Sequence, residues 1–189
     1  IFHKRADGSL MMHSRRQVDF TEKNRGLVAC MDAILTANGV RACILDGEEV
    51  AWDKVLEKYV PFGNNRTFAE QENVANESGG AASDMNQELQ FHAFDCLYYD
   101  GGSIEKSMSM MVECASSANK LDHLQGYDMS FVSAFTTGQR SGSLLVLPLA
   151  IRHQLLQRMV KNADIAPRLK LVRNKTILSK APQARAAEL

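Results

Sequence analysis

The sequence predicts an α+β domain, mainly antiparallel sheets with flanking helices. Three observations point there. Short β-rich runs are closed by turn chemistry, Ala6-Asp7-Gly8-Ser9 and Asp100-Gly101-Gly102, rather than by helical crossovers. Two segments, 27–35 and 148–159, space their apolar residues at the helical period. No βαβ unit repeats, as a parallel α/β sheet would require. With 189 residues the chain can build one domain, or one and a fraction, around a sizeable core.

In chain order, residues 1–5 and 10–15 form a hairpin around the 6–9 turn. Leu27, Val28, Met31, Ile34 and Leu35 then make one helical face. Asn38-Gly39 ends that helix, because glycine accepts the left-handed backbone of a C-terminal cap. Residues 41–52 are β-rich, with Asp46-Gly47 read as a tight turn in their middle. Residues 59–63 are short and extended around Pro61. From 64 to 88 the chain turns polar; part reads as helix, and 77–84 as a mobile loop. Residues 90–99 form a strong strand, whereas 103–142, rich in Ser and Met, show no convincing period. Pro148 opens a helix, since a first-turn proline leaves no N–H unpaired. Ile151, Leu155, Leu156 and Met159 are its apolar stripe. Residues 168–173 read as a short strand and 181–189 as a terminal helix.

Composition narrows the function classes. The 22 basic residues balance 22 acidic ones, so nothing marks this chain by itself as a polyanion binder. Of the four cysteines, Cys43 and Cys96 fall inside apolar strands and read as buried, reduced thiols. No C-x-x-C pair is present, and neither disulfides nor zinc are expected. No apolar run reaches the roughly 18 residues of a membrane span, and no secretory signal opens the chain. The chain starts in what reads as a strand in progress and closes in an uncapped helical run, so both ends are expected to be cut.

Three places carry candidate chemistry. Leu45-Asp46-Gly47-Glu48 puts carboxylates at the end of an apolar strand, where one could accept a ribose hydroxyl's hydrogen bond or hold a hard metal ion. Taken alone it is more often a hairpin turn with a solvated edge. Phe94 sits mid-strand, on the face of His92 and Cys96 by alternation, and could stack on a flat heterocycle. Alone, a core phenylalanine is the commoner case. Ser14-Arg15-Arg16 follows the second strand, and an arginine fork suits phosphate, although arginines at a strand end are usually just solvated.

Order and spacing change that weighing. Ser-Arg-Arg, then Leu-Asp-Gly-Glu with Trp52-Asp53 and Pro61-Phe62-Gly63, then Phe94-Asp95-Cys96-Leu97-Tyr98-Tyr99-Asp100-Gly101, then Leu147-Pro148-Leu149-x-x-Arg152-x-x-Leu155-Leu156: together these resemble the nucleotidyltransferase (adenylation) domain of eukaryotic-type ATP-dependent DNA ligases. The first 21 residues are similar to the DNA ligase IV type, the end-joining enzymes. The resemblance implies an ATP-grasp-like nucleotidyltransferase fold, incomplete here, with residues 1–189 a partial adenylation domain. In that family a lysine in K-x-D-G takes AMP from ATP, the AMP passes to a DNA 5′-phosphate, and a 3′-hydroxyl displaces it. This is nucleophilic catalysis that divides one hard condensation into easier transfers. By the resemblance Arg15 lies near ribose and phosphates or the DNA end, Glu48 at the ribose or a metal, and Phe94 on adenine. ATP and Mg2+ are the implied cofactors, and nicked or broken double-stranded DNA the implied substrate. DNA repair by end joining, a nuclear location and an end-joining scaffold protein as partner are implied in turn.

The chain departs from the family pattern twice. Lys4-Arg5-Ala6-Asp7-Gly8 is one residue too long for K-x-D-G and too close to Ser14. The nucleophile is therefore expected upstream of Ile1, and the chain alone is expected to be inactive. Residues 103–141 separate two motifs the family joins directly, so this stretch is either an insertion or a retained intron, with weak periodicity favouring the second. Two other readings stay open at this point: an mRNA capping enzyme or RNA ligase domain, and a degenerate, non-catalytic nucleotide- or DNA-binding module.

Overall fold

Alternation along the first strands decides where the helices sit. The computed structural model describes residues 1–61, 65–77, 86–118, 141–145, 147–161 and 168–171. Strands β1 (Phe2–Lys4) and β2 (Leu10–Met12) pair antiparallel across the expected turn. Gly8 there adopts φ +86°, Arg5 N–H donates to Ser9 O at 2.9 Å, and Ser9 N–H to Asp7 Oδ1 at 2.9 Å. Helix α1 (Arg25–Ala37) buries all five residues of its apolar face. It ends as its sequence dictates, with Gly39 at φ +75° and Val40 N–H returning to Leu35 O at 2.9 Å.

The centre is one long antiparallel ladder, β3 (Ala42–Asp53) against β5 (Gln87–Asp100). Around it the sheet runs β2-β1-β3-β5-β6, where β6 is Ser141–Ser143. Strand β4 (Lys58–Tyr59) pairs with β3, and β7 (Leu169–Leu171) pairs parallel to β5, the one parallel pairing among the described residues. Helices α2 (Asn65–Glu77), α3 (Ile104–Ala118) and α4 (Leu149–Met159) complete the described elements. The fold is α+β with a mostly antiparallel sheet, as the turn chemistry required.

Residues directly opposite in neighbouring strands share a face. Phe2, Met12, Leu45 and Cys96 therefore form one row across the sheet, and Lys4, Cys43 and Tyr99 the next; all are buried. Lys4 reaches Asp32 and Thr36 of α1, and Cys96 Sγ lies 3.6 Å from Met159 Sδ of α4, so these helices cover that face. Burial pushes the Cys43 thiol up to about 12 and Cys96 in the same direction, as expected of inert core thiols. The α4 stripe of Ile151, Leu155, Leu156 and Met159 is fully buried, as its spacing predicted.

Four expectations change. Asp46-Gly47 is not a turn: both residues lie inside β3, paired through to β5, so the carboxylates stand mid-strand rather than at a strand end. Glycine is required there for room, since a Cβ would sit 2.5 Å from the Phe91 ring and 2.6 Å from His92 O. Phe94 and Cys96 do not share a face in effect. Register shifts leave Phe94 and Leu97 without partners on β3, and each such bulge resets the alternation. Residues 104–118, where no period was legible, are helix, with Ser107, Met111, Cys114 and Ala115 buried at i, i+4, i+7 and i+8. Small and sulfur-bearing side chains disguised that stripe. Finally, β2 stops at Met12, so Ser14 and Arg15 belong to the loop after it. The expected helix at 181–189, most of the 77–84 loop and residues 62–63 lie outside the described residues.

Candidate functional site

A cavity of about 620 Å3 opens where the β1–β2 hairpin, the middle of β3 and the β5 bulge meet. Its volume falls in the range of small-molecule sites. Arg15, Glu48 and Phe94, drawn from three separate stretches of sequence, all line it. Apolar walls come from Met12, Phe20, Ala69 and Phe91, and the floor is the Asp46–Glu49 run.

Local structure explains each position. Ser14 Oγ accepts from the N–H groups of Arg16 and Val18, both at 3.2 Å, and Ser14 N–H donates to Val18 O at 2.9 Å. This tight loop, with Gln17 at φ +60°, turns the exposed Arg15 side chain to the cavity rim. The serine of Ser-Arg thus builds the turn that presents the arginine. Glu48 stands opposite His92 across the ladder. Among the described residues its carboxylate makes no ion pair or hydrogen bond. Burial lowers the His92 pKa, Lys170 adds to that, and Glu48 opposes it. The neighbouring acids are occupied: Asp46 Oδ1 accepts from Gly47 N–H at 3.0 Å, and Glu49 accepts from Asn24 Nδ2. Phe94 is half-buried, with its ring on the cavity and its carbonyl turned to α4.

Lys4 is elsewhere. It is 8% exposed, ion-paired with Asp32, and donates to Thr36 Oγ1 at 2.6 Å. It does not line the cavity, whereas Ile1, at the head of the same hairpin, does.

Sequence reading gave no role to four contributors. Asn24, which holds Glu49, lies in a segment with no motif, and Phe20, an apolar wall, lies in the first 21 residues, whose resemblance assigned it no part. Arg152 and His153 were visible beside the α4 stripe, but their targets depend on the bulge in β5. Arg152 makes a bidentate pair with Asp95, at 2.8 Å for each bond, and that hydrogen bonding raises the guanidinium pKa.

Comparison with known proteins identifies the family. A family model described as the ATP dependent DNA ligase domain matches residues 1–185. DNA ligase 4 of Dictyostelium discoideum is 35% identical over 63 residues, covering 33% of this chain and 6% of that protein. DNA ligase 4 of Arabidopsis thaliana is 33% identical over 86 residues, 46% of this chain and 6% of that protein. The aligned stretches are thus a small fraction of either relative.

Proposed function

The chain belongs to the ATP-dependent DNA ligase domain family, and on that premise we propose that it forms the adenine-nucleotide cavity of an enzyme that seals breaks in double-stranded DNA through a lysyl-AMP intermediate. The observation that carries the proposal is the convergence of Arg15, Glu48 and Phe94 on one cavity. Phe94 supplies a stacking face for adenine, worth about 1–3 kcal/mol. Arg15, an exposed cation at the rim, pairs with phosphate oxygens. Glu48, an exposed carboxylate with no hydrogen bond or ion pair among the described residues, accepts from a ribose hydroxyl or holds Mg2+. The donor set suits a hard cation, because Mg2+ is usually held by one or two carboxylates together with substrate phosphates. When bound, the ion offsets phosphate charge.

The amine that takes AMP is not Lys4, whose ammonium is held under α1. We place the nucleophile on chain preceding Ile1, which lines the cavity and would deliver it there. This chain then binds ATP without becoming adenylated. Incubation with labelled ATP should leave no label after denaturation; a stable covalent label on the chain would overturn this part. The similarity to proteins named DNA ligase 4 favours the end-joining type, so we read the parent enzyme as a nuclear DNA-repair ligase working beside an end-joining scaffold protein. Residues 104–118 bury part of the core, which supports a genuine insertion over a retained intron at 103–141. Peptide mass spectrometry across 102–142 decides between them.

The direct test is titration of the chain with adenosine, AMP and ATP. Phe94→Leu should weaken all three about tenfold, and Arg15→Gln should weaken ATP and spare adenosine. Equal binding by Phe94→Leu and the unaltered chain would overturn the assignment of the cavity.

A further inference from the structure

Two adjacent side chains of α4 act on two adjacent residues of β5. Arg152 Nε donates to Asp95 Oδ1 and Nη2 to Asp95 Oδ2, both at 2.8 Å, with the side chains only 14% and 17% exposed. The third arm of the guanidinium, Nη1, donates to Leu147 O at 2.7 Å, tying the fork to the turn that starts α4. His153 Nε2 donates to Phe94 O at 2.6 Å. Asp95 Oδ1 also accepts from Cys96 N–H at 2.8 Å, closing the loop back onto the strand.

These bonds surround the bulge in which Phe94 has no partner on β3. A bulged residue lacks the ladder that would otherwise fix its orientation, and bulges beside functional sites re-aim side chains. We infer that Arg152 and His153 are positioning residues that clamp the β5 bulge, hold the Phe94 ring against the cavity, and so set the affinity for the base of the bound nucleotide. Neither residue lines the cavity, so both act through Phe94 and not on the ligand. The fork matters more than the charge, because a lysine offers a point charge and cannot satisfy both carboxylate oxygens in one plane. The inference rests on the cavity being an adenine-nucleotide site.

The test compares adenosine with inorganic tripolyphosphate, which has no base, on the whole chain and its variants. Arg152→Lys should weaken adenosine about tenfold and leave tripolyphosphate unchanged. In a Phe94→Leu background, Arg152→Lys should cost nothing further for adenosine. His153→Gln, which can still donate, should bind adenosine like the unaltered chain, while His153→Leu loses about three- to tenfold; this pair carries the test where Arg152 variants fail to fold. Unchanged adenosine affinity in Arg152→Lys or His153→Leu, or a parallel fall for tripolyphosphate, would overturn the clamp while the cavity assignment stands. If the unaltered chain binds neither probe, the cavity assignment falls and the clamp with it.

Discussion

The layer under α3 and α4 and the wall of the cavity share strand β5, yet treat polar groups in opposite ways. Beneath the helices, the polar side chains at Asp95, Asp100 and Ser107 are matched within the protein, whereas Arg158 Nε, between α3 and α4, is buried without a partner among the described residues. Asp95 meets the Arg152 fork, Asp100 Oδ1 accepts from Gly102 N–H at 2.7 Å, and Ser107 Oγ accepts from Gly101 N–H at 3.0 Å. At the cavity, Arg15 and Glu48 are exposed and make no hydrogen bond or ion pair among the described residues. Matched groups specify a fold, because an unpaired buried polar group is costly. Arg15 and Glu48 are exposed and solvated, and on the proposed reading they are the groups that meet the nucleotide.

Substitutions at the two places should separate the same way. The largest effect is expected under α4: Leu155→Ala, at a fully buried position, should cost about 2–5 kcal/mol in chemical denaturation. Glu48→Ala should stay within about 0.5 kcal/mol. A Glu48 variant as destabilised as Leu155→Ala would erase the distinction. Gly47→Ala tests the border between the regions. Its new methyl has no space against the Phe91 ring and His92 O, and a backbone carbonyl cannot yield as a flexible side chain can. A loss of about 1–3 kcal/mol is expected, together with weaker nucleotide binding, since Phe91 is a cavity wall.

Lys4→Met is expected to be milder, about 1 kcal/mol, because Asp32 is 37% exposed and water can take over the ammonium's role. Its value is in what it leaves alone. Adenosine and ATP should bind as before, and a marked loss would bring Lys4 into the site.

The same contrast explains which parts were legible in the sequence. Helices α1 and α4 could be read because Leu, Ile, Val and Met at helical spacing report burial directly. The hairpin could be read because Asp7-Gly8 has few alternatives. Helix α3 could not, since Ser107, Cys114 and Ala115 bury as well as Leu does but do not register as a stripe. Arg15, Glu48 and Phe94 were picked out by motif order, not by any local physical signal. Their convergence depends on register: Gly47 sits opposite Ala93 only because Phe94 bulges. No one-dimensional pattern encodes a two-residue-against-one offset, so Asp46-Gly47 reads as a turn until the second strand is seen beside it.

The smallest effect concerns the hairpin edge of the cavity. His3 Nε2 and His13 Nε2 are 2.8 Å apart, and His13 Nδ1 is 2.9 Å from Ser14 O. The carbonyl can only accept, so it fixes the proton on His13 Nδ1 and leaves Nε2 to accept from His3. Burial lowers the His3 pKa from 6.5, and His13, the Ile1 amino group and Arg5 push it the same way. Between the folded value and 6.5 the unfolded chain therefore binds more protons, and stability rises with pH there. The contribution is fully present above 6.5, is lost as pH falls below it, and stops changing once the folded ring is protonated too. Burial at His92 gives the same sign. Proton NMR should find the His3 ring titrating below 6.5, and His3→Asn should flatten the stability profile between pH 5 and 7. A His3 ring that titrates above 6.5 would mean the pair is held by a shared proton, and the hairpin edge would then gain stability as the solution is acidified.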